Sequence, residues 1–295
     1  MKQLSLERSP DSIGASPASA AAPRRFDPRR VYVALAFIPI FYALIRYAPP
    51  AGLFLLVLPT ALLALGELYR LHLGPRRFPP VMRCGFLGLA LLLAAVQWPG
   101  FLDERAALAL SLLMLLGATL LPGDDRRTIL PDMALAGFGL LYVGWTLSYV
   151  LRIRSLPEGL WLIFFLVLVT WAGDTGAYYT GISLGRRPLA PALSPKKTVE
   201  GLIGGWLFSV AAALAASYWF LPSFSPLHAV VASFLLTGAG LIGDLSESAL
   251  KRSAGVKDSG WLLPGHGGVL DRIDSLLFTS PVFYYYVVLT QGSPA

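Results

Sequence analysis

Nine apolar runs, near 31–48, 51–71, 83–98, 106–121, 129–151, 159–179, 198–221, 228–250 and 275–290, succeed one another along the 295 residues with short polar segments between them. A run of about 20 apolar residues can cross a bilayer as a helix, because the helix satisfies its own backbone hydrogen bonds where no water is available. The short alternating pattern of a lipid-facing barrel is missing. With 55% hydrophobic and 14% charged residues and a mean hydropathy of +0.63, the chain has too little polar surface to wrap a soluble core of its size. The fold class expected is an all-α, polytopic integral membrane helical bundle of about nine transmembrane helices.

Lysine and arginine accumulate on the cytoplasmic side of membrane proteins, so the loops test the count. With the N-terminus inside, all 24 basic residues except Arg46, Arg105, Arg152 and Arg154 fall on the cytoplasmic side. This N-in, C-out arrangement places every motif discussed below on the cytosolic face of a cell (inner) membrane. The net charge of +7 then reads as topology plus attraction to anionic headgroups and nucleotides. Nucleic acid is not an expected partner, since no basic stripe with interleaved aromatics occurs. Cys84, the only cysteine, reads as a small packing residue. Residues 1–30, rich in Ser, Ala, Pro and Arg, read as a disordered cytosolic tail; the Arg24-Arg25 pair precedes an apolar run with no small-residue cleavage site, so that run is expected to stay as a first span.

The two parts of the transmembrane region differ. Residues 31–154 read as a scaffold whose charges lie in short loops. Glu67 is the exception, open to two readings: an interfacial helical pair with Arg70, three residues on, or a place lining an active cavity. In residues 155–295 ionisable groups enter the spans themselves, and an unpaired carboxylate there costs several kcal/mol. This is the expected catalytic region.

Three polar segments carry the chemistry. The first runs from Asp174-Thr-Gly-Ala-Tyr178 through Arg186-Arg187 to Ser194-Pro-Lys-Lys-Thr-Val-Glu-Gly201. Ser194 before Pro195 predicts a helix start, with Lys196 and Lys197 in a first turn that would favour a polyphosphate. In the second, Asp244, Glu247, Ser248 and Lys251 stand at i, i+3, i+4 and i+7, one stripe of a helix, followed by Arg252. A Glu247–Lys251 pair is the plain reading of that stripe, and it leaves Asp244 unaccounted for. The third holds Lys257-Asp258, then Gly265-His266-Gly267-Gly268, then Asp271-Arg272-Ile273-Asp274. Asp271 and Asp274 at i and i+3 of a helix start can reach one divalent cation or two adjacent ones, and the glycines let backbone approach phosphate oxygens. His266 is either a phosphate hydrogen-bonder or a loop anchor. Acids without a cysteine or histidine cluster suit a hard metal such as Mg²⁺, and the lysines and arginines suit phosphate. The reaction class is phosphoryl or nucleotidyl transfer at a membrane surface; no Walker loop is present.

Residues 248–274, with S-x-L-K-R, K-D, H-G-G and D-R-x-D in register, resemble the signature of the phosphatidate cytidylyltransferases, the CDP-diacylglycerol synthases. Asp174-Thr-x-Ala-Tyr178 and Ser194-Pro-x-Lys197-Thr198-x-Glu200-Gly201 are similar to the family pattern too, so that the resemblance covers roughly residues 170–280. Pro188 stands where the family often has a basic residue, and Leu193 where Ile or Val is usual. The resemblance implies an enzyme that joins CTP and phosphatidic acid into CDP-diacylglycerol and pyrophosphate, dependent on Mg²⁺ and homodimeric. It implies Asp244 and Asp271 as main metal ligands with Glu247 and Asp274 nearby, Lys197 as a catalytic phosphate holder, and Lys251, Arg252, Lys257 and Arg272 as charge-offsetting groups. Asp174, Ser194, Lys196, Ser248, His266, Gly267 and Gly268 complete the expected substrate contacts. A CTP-dependent transferase or kinase acting on an isoprenoid or ether lipid would share these residues. An ion-coupled transporter would place binding groups near the midplane and show paired repeats, and neither is found.

Overall fold

A computed structural model of the chain describes residues 42–43, 46–47, 50–74, 78–121, 127–256, 259–260 and 267–291. In chain order these residues form α1 (Pro50–Leu73), α2 (Pro80–Gln97), α3 (Glu104–Ala118), a continuous rod of α4 (Ile129–Gly139), a π-helical turn (Leu140–Trp145) and α5 (Thr146–Ser155), then α6 (Gly159–Leu184), α7 (Val199–Trp219), α8 (Pro226–Ser253) and α9 (Leu270–Gln291). A two-stranded antiparallel hairpin, β1 (Pro188–Ala190) and β2 (Ser194–Thr198), lies between α6 and α7.

Among the described residues, seven helices are long and apolar enough to cross a membrane: α1, α2, the α4–α5 rod, α6, α7, α8 and α9. This is a membrane protein built of helices, with the hairpin as a small departure from an all-α chain. The first expected span, 31–48, lies almost wholly outside the described residues. The expected span 106–121 becomes α3, whose 15 residues rise only about 22 Å against a hydrocarbon thickness of about 30 Å. Its start is fixed by Asp103, whose carboxylate accepts from the amides of Arg105 and Ala106.

The interior is aliphatic and aromatic. Leu65 and Leu68 of α1, Leu89 and Leu92 of α2, Val143 of the π-turn, Phe165 of α6 and Phe283 of α9 are buried, and Phe165 stacks on Phe283 with ring centroids 5.4 Å apart. Outside, Leu55, Leu87, Leu112, Ile182, Leu207 and Leu289 are exposed, the surface that helices in lipid require. Because lipid gives no hydrophobic drive to bring helices together, buried hydroxyls help: Ser209 of α7 donates to the carbonyl of Val169 in α6 at 3.1 Å, and Thr237 of α8 donates to Ser209 at 2.8 Å.

Contacts between helix ends, Glu67 with Val269 and Leu270, Lys197 with Asp244 and Lys251 with Asp271, sort the charges. The end of α1, the hairpin, the end of α8 and the start of α9 share one end of the bundle, and with them stand Arg70, Arg83, Arg127, Arg186, Arg187, Lys196, Lys197, Lys251, Arg252 and Arg272. Arg46, Arg105, Arg152 and Arg154 stand at the other.

Candidate active site

The expected helix start at Ser194-Pro195 is not what forms. Proline disfavours helical geometry in the residue before it, and Ser194 to Thr198 pair as a strand with β1, Pro188 facing Thr198 and Ala190 facing Ser194 across an irregular register. The helix begins one strand later, where Thr198, in extended geometry, accepts from the amide of Gly201. Lys196 and Lys197 therefore sit on a strand rather than in a helical first turn. Glu200 anchors the hairpin, its Oε2 accepting from the amides of Arg186 and Arg187 at 3.0 and 3.1 Å. Lys196 is exposed, Ser194 is half-buried, and Lys197 points inward.

Lys197 meets Asp244. Its Nζ lies 2.5 Å from Asp244 Oδ2, joining the hairpin to α8, and Ser248, one turn on, approaches Asp244 Oδ1 at 3.5 Å. Asp174 of α6 and Asp274 of α9 interact electrostatically with Asp244, with one another and with the same lysine. One carboxylate thus touches the ammonium group, and two more from other helices act on it electrostatically without an ion-pair contact. Gly243 makes this approach feasible: a Cβ there would lie 2.5 Å from the carbonyl oxygen of Asp274, so a larger residue would force α8 away from α9.

One to two turns further along α8 lies a second cluster. Lys251 Nζ contacts Glu247 at 2.5 Å, one helical turn away, and Asp271 Oδ1 of α9 at 2.6 Å. The other oxygen of Asp271 accepts from the amides of Gly268 at 2.8 Å and Ser259 at 3.2 Å, so this carboxylate both pairs with lysine and caps the start of α9. Glu247 is buried, and its Oε1 has no hydrogen-bond partner among the described residues. The four-residue stripe expected of Asp244, Glu247, Ser248 and Lys251 is present on the single continuous helix α8. The plain Glu247–Lys251 pair also forms, widened by Asp271 into a triad. No described contact joins Asp244 to Asp271.

Arg252 is exposed and donates to the carbonyl of Val256 at 3.2 Å, and Arg272 is exposed as well. Gly267 has a left-handed backbone with φ of 78°. Lys257 and His266 lie outside the described residues, as does Asp258.

Two features of the N-terminal half reach this region. Glu67, near the end of α1, is buried while Arg70 is exposed, so their interfacial pairing does not describe it. Its carboxylate accepts from the amides of Val269 at 2.9 Å and Leu270 at 2.8 Å and from the hydroxyl of Ser259 at 3.3 Å. Tyr142, in the π-helical turn, has a buried hydroxyl without a hydrogen-bond partner among the described residues and interacts electrostatically with Glu247 and Asp274. Nothing in the spacing around Tyr142 marks it. Glu67 carried a signal as an acid near the end of a span.

Three carboxylates, those of Asp244, Glu247 and Asp271, contact two ammonium groups at one end of the bundle, and those of Asp174 and Asp274 act electrostatically on Asp244 and Lys197. Oxygen donors in excess over the cations, with one buried acceptor unpartnered, fit a hard divalent cation in donor chemistry. As the side chains stand, the described residues hold no group of three such ligands arranged around an ion, since the lysines lie among the acids. A cavity of about 360 Å³ lined by Arg46, Arg154, Glu158 and Trp161 opens at the start of α6. From there Asp174 is about 22 Å further along the helix. Charge and convergence, rather than cavity size, mark the site.

Fold and site together define a polytopic membrane protein with an acid–lysine centre at one end of its bundle, suited to handling phosphates. Residues 28–290 match the sequence model of the cytidylyltransferase family. The chain is similar to a phosphatidate cytidylyltransferase of Bacillus subtilis (strain 168), 36% identical over 246 residues, which cover 80% of this chain and 88% of the relative. A phosphatidate cytidylyltransferase of Staphylococcus saprophyticus is 36% identical over 81% of this chain and 93% of its own length. The uncharacterized protein YnbB of Escherichia coli (strain K12) is 45% identical over 150 residues, about half of each chain. The chain belongs to the cytidylyltransferase family.

Proposed function

We propose that this protein transfers the cytidylyl group of CTP to phosphatidic acid, giving CDP-diacylglycerol and pyrophosphate for phospholipid synthesis. Membership of the cytidylyltransferase family and the names of relatives aligned along most of their length support the substrates. The single structural observation that carries the reading is the Lys197–Asp244 ion pair between the hairpin and α8, with Asp174 of α6 and Asp274 of α9 acting on it electrostatically, at the end of the bundle where most described basic residues gather.

An oxygen of the lipid phosphate attacks the α-phosphorus of CTP, a P–O bond forms, the bond to the β-phosphate breaks and pyrophosphate leaves. A phosphate monoester is ionised near neutral pH, so no general base is required. The chain's task is to bring two anions together and to offset their charge. Lys197 holds phosphate, exchanging its contact with Asp244 for one with the nucleotide. Lys251, held between Glu247 and Asp271, supplies a fixed positive charge, with Arg252, Lys257 and Arg272 around it. Asp244 and Asp271 would be the main holders of Mg²⁺, with Glu247 and Asp274 close by. When bound, the ion polarises phosphoryl oxygens and neutralises charge on the leaving group.

The charge sorting supports a cytoplasmic N-terminus and a site on the cytosolic face of the inner membrane. The family resemblance also supports a homodimer. Purified protein supplied with labelled CTP and a panel of phosphatidate, ether-lipid phosphates and polyprenols tests the substrate: label should enter phosphatidate, and label entering only a polyprenol or an ether lipid would refute it.

A further inference from the structure

We propose that Glu67 is a positioning residue of this site: a clamp from the N-terminal half that ties Ser259 to the start of α9 and so fixes Asp271 against Lys251. The inference rests on the reading of the acid–lysine centre given above.

A helix start leaves backbone amides without partners, and one side chain of the same segment commonly caps them. Here two carboxylates divide the work. Asp271, inside α9, takes Gly268 and Ser259; Glu67, arriving from α1, takes Val269 and Leu270 and adds the Ser259 hydroxyl. Ser259 is therefore gripped twice, by its amide to Asp271 and by its hydroxyl to Glu67. The contact spans 202 residues between Glu67 and Val269, so no local propensity accounts for it.

The packing around the carboxylate is built for it. A Cβ at Gly268 would lie 2.8 Å from Glu67 Cδ, and one at Gly260 would lie 2.7 Å from Glu67 Oε1. Two glycines on either side of the segment thus make the space in which the acid sits. A buried carboxylate without such donors would cost several kcal/mol in a membrane protein, and its position at the start of α9 places it where the helix field favours negative charge. Asp271 is one residue beyond Leu270, whose amide Glu67 holds. Fixing that amide fixes the register of α9 and the direction from which Asp271 meets Lys251. Glu67 touches no reacting atom, and its effect passes through Asp271.

Hydrogen exchange and steady-state kinetics on the purified full chain test this. In Glu67→Gln, one acceptor oxygen is lost at constant size, and amide exchange in peptides covering residues 267–272 should quicken about fivefold or more, with the rest of the protein unchanged. The same variant should lose about tenfold in kcat, with KM for CTP moving less than about threefold. Glu67→Ala should go further on both readouts, and Glu67→Asp should recover part of each. If the alanine variant does not fold, Ser259→Ala, which removes one donor and leaves the carboxylate, should show a smaller shift of the same kind. Unchanged exchange at 267–272 in Glu67→Gln, exchange that rises evenly through the whole protein, or local loosening with full kcat would each overturn the proposal. Wild-type protein assayed with the lipid panel judges the cytidylyl-transfer reading by itself. If that reading fails, kcat is taken on whatever acceptor the wild type uses, and exchange at 267–272 alone decides if it uses none.

Discussion

Replacing Lys251 by methionine removes one positive charge from between two carboxylates and keeps the bulk of the side chain. The lysine side chain is 13% exposed, that of Glu247 1% and that of Asp271 14%, so water does little to screen what remains. At an effective dielectric of about 20, one contact at 2.5 Å amounts to about 6–7 kcal/mol gross. Desolvation of the three groups and repulsion between the acids offset most of the two contacts, and removing one member of a buried pair typically costs about 3–5 kcal/mol. That is a large share of a stability margin of about 5–15 kcal/mol. Cys84 offers the assay: it is the only cysteine and packs against the core, so a thiol-reactive dye reports unfolding as the detergent-solubilised protein is heated. Lys251→Met should melt well below the wild type. Glu247→Gln combined with Lys251→Met should regain about 2 kcal/mol, because the repulsion is gone and Asp271 keeps its amides at Gly268 and Ser259. Turnover should stay low in both. A single variant as stable as the wild type, or a double variant no better than the single, would refute the idea that the lysine neutralises this pair.

Asp244→Asn and Asp271→Asn should each lower turnover by about 100-fold or more while the protein still inserts and purifies as folded material, as transition-state charge stabilisation of this kind implies; near-normal activity at limiting Mg²⁺ would remove that residue from the ligand set. Chelation of divalent cations should stop turnover, and Mg²⁺ should restore it more readily than Zn²⁺, given a donor set of carboxylates alone; activity that survives chelation would count against a metal-dependent step.

Much of the helical arrangement was legible because lipid imposes it. Long apolar runs must coil, so α1, α2, the α4–α5 rod and α6 to α9 lie close to the expected positions. The stripe from Asp244 to Lys251 followed from helical spacing alone, and its surplus acid, Asp244, meets Lys197 across the bundle. The hairpin was not legible. Ser194-Pro195 satisfies the capping rules for a helix start, and what overrides them is pairing with residues 188–190 and the anchoring of Arg186 and Arg187 by Glu200, neither of which those rules take into account. The contact of Glu67 with Val269 joins opposite ends of the sequence, and periodicity holds no information about it. Tyr142 was hidden differently: its exposure to the acids is set by a π-helical turn, and nothing in Leu140–Trp145 signals one.

In cytidylyl transfer the α-phosphorus of CTP, and no other, moves onto a lipid phosphate, here at the cluster around Asp244. Parallel reactions with CTP labelled at the α- or the γ-phosphate, given phosphatidate and Mg²⁺, test it directly. Lipid-bound label from the α-labelled nucleotide alone, with γ-label released as pyrophosphate and both lost in Asp244→Asn, is the expected result. Lipid-bound label from the γ-position would make the protein a kinase and contradict cytidylyl transfer, and undiminished transfer in Asp244→Asn would place the chemistry elsewhere.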